Sequence, residues 1–266
     1  MQKENKGSID LTRGSIPGGI LAFAIPLFLG QLLQQLYNMV DAWVIGNFAD
    51  NDAFAAVSST GTVVFLIIGF FSGIATGGGV VISRYFGARD EDNVSKAVHT
   101  NFLMGLIASA IGTVAGLILA PHLLVWLGTP DSVMPHALRY LQIYFGGMIA
   151  VLVYNVGTAI LRAVGDSRRP LYFLIVCCVL NIALDPLFIF TFGMGVAGAA
   201  LATSLSQVVS FFLLLNGTRL GGNIRIHWRD YTPTLANFRE ILRGGVPSLA
   251  RQSLNSLATV CLNLAS

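Results

Sequence analysis

Two carboxylates, Asp41 and Asp185, lie inside the apolar stretches of this chain. A charged side chain in hydrocarbon costs at least about 2.5–3.5 kcal/mol on insertion scales, so an acid in such a place faces a cavity or a partner and marks a path for an ion or a substrate. The polar residues around Asp185 keep helical spacing. Asn181 is four residues earlier, on the same helix face. Pro186 follows directly and frees a backbone carbonyl one turn earlier. Thr203 and Gln207 are again four apart, and Tyr37 precedes Asp41 by one turn with Asn38 beside it. A carboxyl in a pocket of this kind loses the solvation of its charged form, which suits it to take up and release a proton. With several oxygen neighbours the same pocket would hold Na⁺, and the residue types leave both ions open.

The elements that must position these residues are membrane spans. Hydrophobic residues make up 54% of the chain, charged residues only 11%, and the mean hydropathy is +0.70. That leaves too little polar surface for a soluble fold of this length. No Asp, Glu, Lys or Arg occurs between Arg13 and Asp41, Asp52 and Arg84, Lys96 and Asp131, or Asp185 and Arg219. Each gap exceeds the ~20 apolar residues that cross a bilayer. Turn residues and charges predict spans at 17–46, 54–82, 95–120, 134–162, 170–191 and 195–216, and a seventh beginning near 245.

Cationic residues cluster in alternate connections: Lys3, Lys6 and Arg13 before the first span; Arg84, Arg89 and Lys96 after the second; Arg162, Arg168 and Arg169 after the fourth; Arg219, Arg225, Arg229, Arg239 and Arg243 after the sixth. The other connections hold only Arg139, at the edge of the fourth span. The positive-inside rule then predicts a cytoplasmic N-terminus and a retained first helix. At about 1.5 Å per residue, Asp41 lies about 30 Å or more from the inner boundary near Pro17, and Asp185 about 22 Å from its own near Pro170. Both fall in the outer half of the membrane, where Thr203 and Gln207 also arrive as the sixth span re-enters.

A shift of 221 positions sets Ile20 on Ile241, Leu21 on Leu242, Pro26 on Pro247, Gln31 on Gln252, Leu33 on Leu254 and Leu36 on Leu257. The seventh span therefore reads as the first helix of a second copy, entering from the same side, in a parallel repeat of six-helix bundles. The sequence ends at Ser266 inside that helix, so the expectation is one lobe and the start of another in a protein about twice as long. The expected divisions are an N-terminal six-helix lobe at 1–216, a cytoplasmic inter-lobe loop at 217–244, and the truncated first helix of a C-terminal lobe at 245–266.

Other patterns carry no chemistry. Gly193 to Gly198 matches G-x-G-x-x-G, but it opens a membrane helix without a preceding strand, so it reads as a tight turn with close packing. Gly69, Gly73 and Gly77, like Gly112 and Gly116, have the spacing that lets helices approach closely. Cys177, Cys178 and Cys261 lack metal or redox spacing, and His99, His122, His136 and His227 are scattered near helix ends. No nucleophile elbow or metal-ligand set is present, no cofactor is implied, and no basic patch interleaved with aromatics suggests nucleic acid.

The stretch from Asn181 through Asp185-Pro186 and Gly193 to Thr203 and Gln207 resembles the fifth and sixth helices of the multidrug and toxic compound extrusion (MATE) family. Leu161 to Pro170 resembles that family's loop after the fourth helix, Ile82 to Arg89 its loop after the second, and Ile25-Pro26 with Asp41 its first helix. The resemblance implies an all-α membrane protein, the N-terminal lobe of a twelve-helix, two-lobe transporter in a bacterial or archaeal inner membrane. It implies alternating access between the lobes, and export of cationic or amphipathic drugs as a secondary antiporter in exchange for H⁺ or Na⁺. It places the ion-coupling site at Asp41, Asn181, Asp185 and Thr203, with Tyr37 and Asn155 as further polar lining. The alternatives are a lipid-linked oligosaccharide flippase of the same superfamily, which would line its cavity with basic residues where only Arg139 and Arg251 approach a span, and a non-transporting membrane assembly protein.

Overall fold

The computed structural model describes residues 16–48, 51–220, 233–247, 250 and 254, and the regular elements among them are helical. They are α1 (Ile16–Phe48), α2 (Asn51–Gly87), α3 (Glu91–Trp126), α4 (Met134–Gly146), α5 (Met148–Ala163), α6 (Arg168–Pro186), a π-helical turn (Leu187–Thr191), α7 (Val196–Leu220) and a short α8 over 235–247. Among the described residues, five helices are long and apolar enough to cross a bilayer, and α4 with α5, bent by 49°, makes a sixth when the pair is counted as one span. The chain is an all-helical membrane bundle.

Two of the expected spans are not simple rods. The fourth breaks at Gly147, where α7 comes so close that a Cβ would lie 2.7 Å from Ser204 Oγ. The adjacent Gly146 leaves the kink unopposed by side chains. The fifth holds α-helical geometry only to Pro186, whose nitrogen has no hydrogen to donate, and continues as the π turn. The expected loop 217–244 contains the end of α7 and most of α8, so helix resumes at 235, ahead of 245. Lys3, Lys6, Arg13, Arg225, His227, Arg229, Arg251, Gln252, Leu257 and Cys261 lie outside the described residues.

Large apolar side chains such as Phe28, Trp43, Ile111, Ile118, Val179 and Phe212 point outward. In lipid this is the expected arrangement, and helices then associate through close packing rather than through exclusion of water. A main core joins Ile67, Leu124, Leu141, Phe145, Met148 and Ala200 from α2, α3, α4, α5 and α7. Glycines set its tightness: a Cβ on Gly116 would fall 2.7 Å from the Phe145 ring, and one on Gly105 would fall 2.6 Å from Val156. Gly193 and Gly195, at φ +61° and +53°, make the turn into α7, and Gly198 packs on Phe188. Cys177 and Cys178 are buried free thiols.

Gly116→Val should therefore overpack the core against the fully buried Phe145 and cost about 1–3 kcal/mol. Gly146→Ala, with nothing within 4 Å of its Cβ position, should be nearly neutral. Thermal unfolding of both variants in detergent micelles checks the contrast.

Candidate functional site

α1, α6 and α7 each bring polar side chains to one buried place. Asn181 and Asp185, one turn apart on α6, are each only 1% exposed, and Thr203 of α7 is 9% exposed. Tyr37 and Asp41 arrive from α1, half-buried. Asn38, one residue on and so rotated by about 100°, is exposed and takes no part.

A directed set of hydrogen bonds links them. The Asn181 amide donates from Nδ2 to Asp185 Oδ2 at 2.6 Å, and its Oδ1 accepts from the Thr203 N–H at 3.2 Å and from the Thr203 hydroxyl at 3.3 Å. The opposite amide orientation would set two acceptors against each other. Because Thr203 spends its only hydroxyl proton on Asn181, the Tyr37 hydroxyl is the donor in its 3.3 Å contact with Thr203 Oγ1. The chain of donors runs from Tyr37 through Thr203 and Asn181 to Asp185, and each bond polarises the next.

The end of that chain faces a second acid. The Asp41 and Asp185 carboxyls lie within hydrogen-bonding reach of each other, and the Oδ1 atom of each is buried with no other partner among the described residues. Two carboxyls can meet in this way only with a proton or a cation between them. Among the described residues, no lysine or arginine acts on either acid, by hydrogen bond or by charge.

Two residues of the site carry no mark in the sequence. Tyr140 and Tyr144, one turn apart on α4, stack with ring centroids 6.0 Å apart and planes at 14°. Tyr140 is buried near Asp41 and Asp185. Aromatic residues in an apolar span read as core, although their i, i+4 spacing was the available signal. Gln207 lies one turn beyond Thr203, and its Oε1 is buried without a hydrogen-bond partner among the described residues. Asn155 lies apart from the acids. Its Nδ2 turns back to Val151 O at 2.9 Å, and it lines a separate small cleft with Ile74, Ala75, Gly105 and Val156.

A bent-helix bundle with an acid pair between its spans belongs to the class of polytopic, all-helical membrane proteins. A MatE family profile matches residues 26–187, and the chain belongs to this MATE family, of the MOP superfamily, a family of transporters and not of enzymes. It is 36% identical over 203 residues to the probable multidrug resistance protein YpnP of Bacillus subtilis (strain 168), covering 76% of this chain and 45% of that protein. A solved structure of a multidrug resistance MATE family transporter in its outward-facing conformation is 31% identical, with a TM-score of 0.90 over 98% of this chain and 58% of the other. The inward-facing conformation of such a transporter, at the same 31% identity, gives 0.81 over 92% and 56%. The chain spans about half the length of the curated relatives it matches.

Thr203→Val removes the hydroxyl that both Tyr37 and Asn181 use and should lower stability by about 1–2 kcal/mol. Thr203→Ser should retain most of it. Equal melting temperatures for the two variants would contradict the hydrogen-bond chain.

Proposed function

We propose that this chain supplies the ion-coupling lobe of a secondary active antiporter that exports cationic or amphipathic small molecules in exchange for H⁺ or Na⁺. The observation that supports this most is the meeting of Asp41 and Asp185, carried by different helices, in a buried pocket lined by Asn181, Thr203 and Tyr37. YpnP and the outward-facing structure are described as multidrug resistance proteins, which favours drugs as the exported class. Residues 1–216 would be the N-terminal lobe, 217–244 the connection between lobes, and 245–266 the first helix of the next lobe.

Coupling follows from differential binding. A proton or Na⁺ between the acids neutralises one charge and holds α1 against α6. When the ion leaves, two negative charges oppose each other across the same contact. α1 is the helix best placed to respond, since most of its side chains lie outside the packed bundle and Pro26 interrupts its backbone hydrogen bonding. Movement of α1 reshapes the pocket edge that Tyr37 lines. Ion and drug then favour different states, as exchange requires. Gln207, Tyr140 and Tyr144 supply amide and aromatic surface suited to a cationic or amphipathic guest.

A flippase for lipid-linked sugars fits less well. It needs cations to hold pyrophosphate, whereas Arg139 is exposed and the described site is acidic. An assembly protein has no use for a buried acid pair.

Efflux of a cationic dye, measured under separately imposed proton and sodium gradients, tests the proposal and identifies the ion. Asp41→Asn and Asp185→Asn should each reduce gradient-driven efflux on the order of 10–100-fold at unchanged membrane levels. Full efflux in both variants would refute it. A cytoplasmic N-terminus, in a bacterial or archaeal cell membrane, predicts that a membrane-impermeant maleimide labels Asp131→Cys from outside intact cells but not Gly87→Cys.

A further inference from the structure

The turn between α5 and α6 leaves two arginines without counter-charges. Arg162 lies in the last turn of α5, and Arg168 begins α6. Gly165, at φ +84°, closes α5: its N–H donates to Arg162 O at 3.1 Å, and the Asp166 N–H donates to Leu161 O at 3.0 Å. The Asp166 carboxylate then starts α6. Its Oδ1 accepts from the Arg169 N–H and its Oδ2 pairs with Arg169 Nε, each at 3.1 Å. Asp166 is buried, so the one acid of the turn is committed to one of its three arginines. Arg162 and Arg168 are exposed, and neither side chain pairs with an acid among the described residues.

Arg168 also heads an apolar face. Tyr172, Ile175, Val179 and Ile182 follow it at i+4, i+7, i+11 and i+14, the spacing of one side of a helix. All four point outward, Tyr172 with 61% and Val179 with 62% of its surface open. The other side of α6 packs inward, with Cys178, Asn181 and Asp185 buried. A continuous apolar strip along a membrane span accepts acyl chains. The arginine at its end lays its aliphatic stem on the strip and its guanidinium in the headgroup layer, where the tyrosine hydroxyl also finds polar partners. The strip by itself would suit any lipid, and the two free guanidinium groups supply the discrimination. Each offers a planar fork of donors that matches phosphate oxygens. A zwitterionic headgroup brings a cation of its own to this place, whereas an anionic one brings the negative charge that Asp166 does not provide.

We propose that the α5–α6 turn and the exposed face of α6 form a binding site for a phospholipid with an anionic headgroup, its phosphate held by Arg162 and Arg168 and an acyl chain lying along Tyr172, Ile175 and Val179. The site is on the helix that carries Asn181 and Asp185 but on the side turned away from them, so its occupation needs no ion or drug at the acid pair.

Fluorescence quenching tests this in the whole chain, reconstituted in phosphatidylcholine vesicles, with Trp43, Trp126 and Trp228 replaced by phenylalanine and a single reporter, Tyr172→Trp, at the site. Vesicles that contain brominated phosphatidylglycerol or brominated phosphatidylcholine then give the preference for one lipid over the other at that position. A basic residue in the headgroup layer is worth about 5-fold for an anionic lipid, so phosphatidylglycerol should be preferred about 25-fold. Arg162→Gln and Arg168→Gln should each lower the preference to about 5-fold, and Arg168→Lys, which keeps the charge, should retain most of it. A reporter at Ile111→Trp, on the exposed face of α3, should be quenched equally by both lipids in every variant, which also shows that the chain stays inserted. Equal quenching by the two lipids at Tyr172→Trp would overturn the proposal, since the face would then meet ordinary boundary lipid. Absence of quenching by either lipid would overturn it too, because protein would then cover the face. So would a preference that survives both glutamine substitutions, since its charge would lie elsewhere.

Discussion

A carboxylate stripped of water needs a positive charge or a proton beside it, and in this chain the demand falls on two carboxylates at once. Asp41 and Asp185 satisfy it jointly, and the position of α1 follows from that. Most of the apolar side chains of α1 lie outside the packing of this bundle, so few contacts within the chain tie it down. Near its outer end a small apolar cluster of Val40, Val44, Ile189 and Ala199 seats it beside the acids. Ile189 belongs to the π turn that Pro186 starts. The local backbone irregularity thus supplies part of the seat for the helix that bears the second acid.

The middle of the bundle has the opposite character. Gly105 and Gly116 let α3 approach α5 and α4 until Val156 and Phe145 lie against bare backbone, and the buried core there joins five helices. A lightly held α1 thus stands beside a tightly packed body. Tyr37 and Asp41, one turn apart on α1, bring that helix into the polar cluster with Thr203 and Asp185.

Much of the architecture was legible because the bilayer imposes it. Four gaps without charge located the membrane spans, and residues at helical spacing around Asp185 pointed to the cluster that α1, α6 and α7 assemble. What was not legible involved contacts between helices distant in sequence. The bend at Gly147 depends on the approach of Ser204, and neighbouring glycines in an apolar run read equally well as straight-helix packing. α8 escaped notice because its residues are too polar for a span and its only buried apolar anchor, Ile241, has its partners on α2, α3 and α5. Tyr140 stands near the acids only because of how the bent fourth span packs, which its place in an apolar run does not reveal. Asn155 shows the reverse: a polar residue in an apolar helix that satisfies its amide on its own backbone, away from the site.

By itself the sequence determined that this chain lives in a bilayer, how many times it crosses in its first 216 residues, and that Asp41 and Asp185 need partners, because hydrocarbon excludes charge wherever the chain folds. Tertiary structure alone decided that the two acids are partners to each other, that the Asn181 amide and the Thr203 hydroxyl direct a line of donors toward them, and that α8 crosses α2 glycine on glycine. Those are distances and orientations between separate helices, and in lipid they are set by close packing, which one-dimensional hydropathy does not encode.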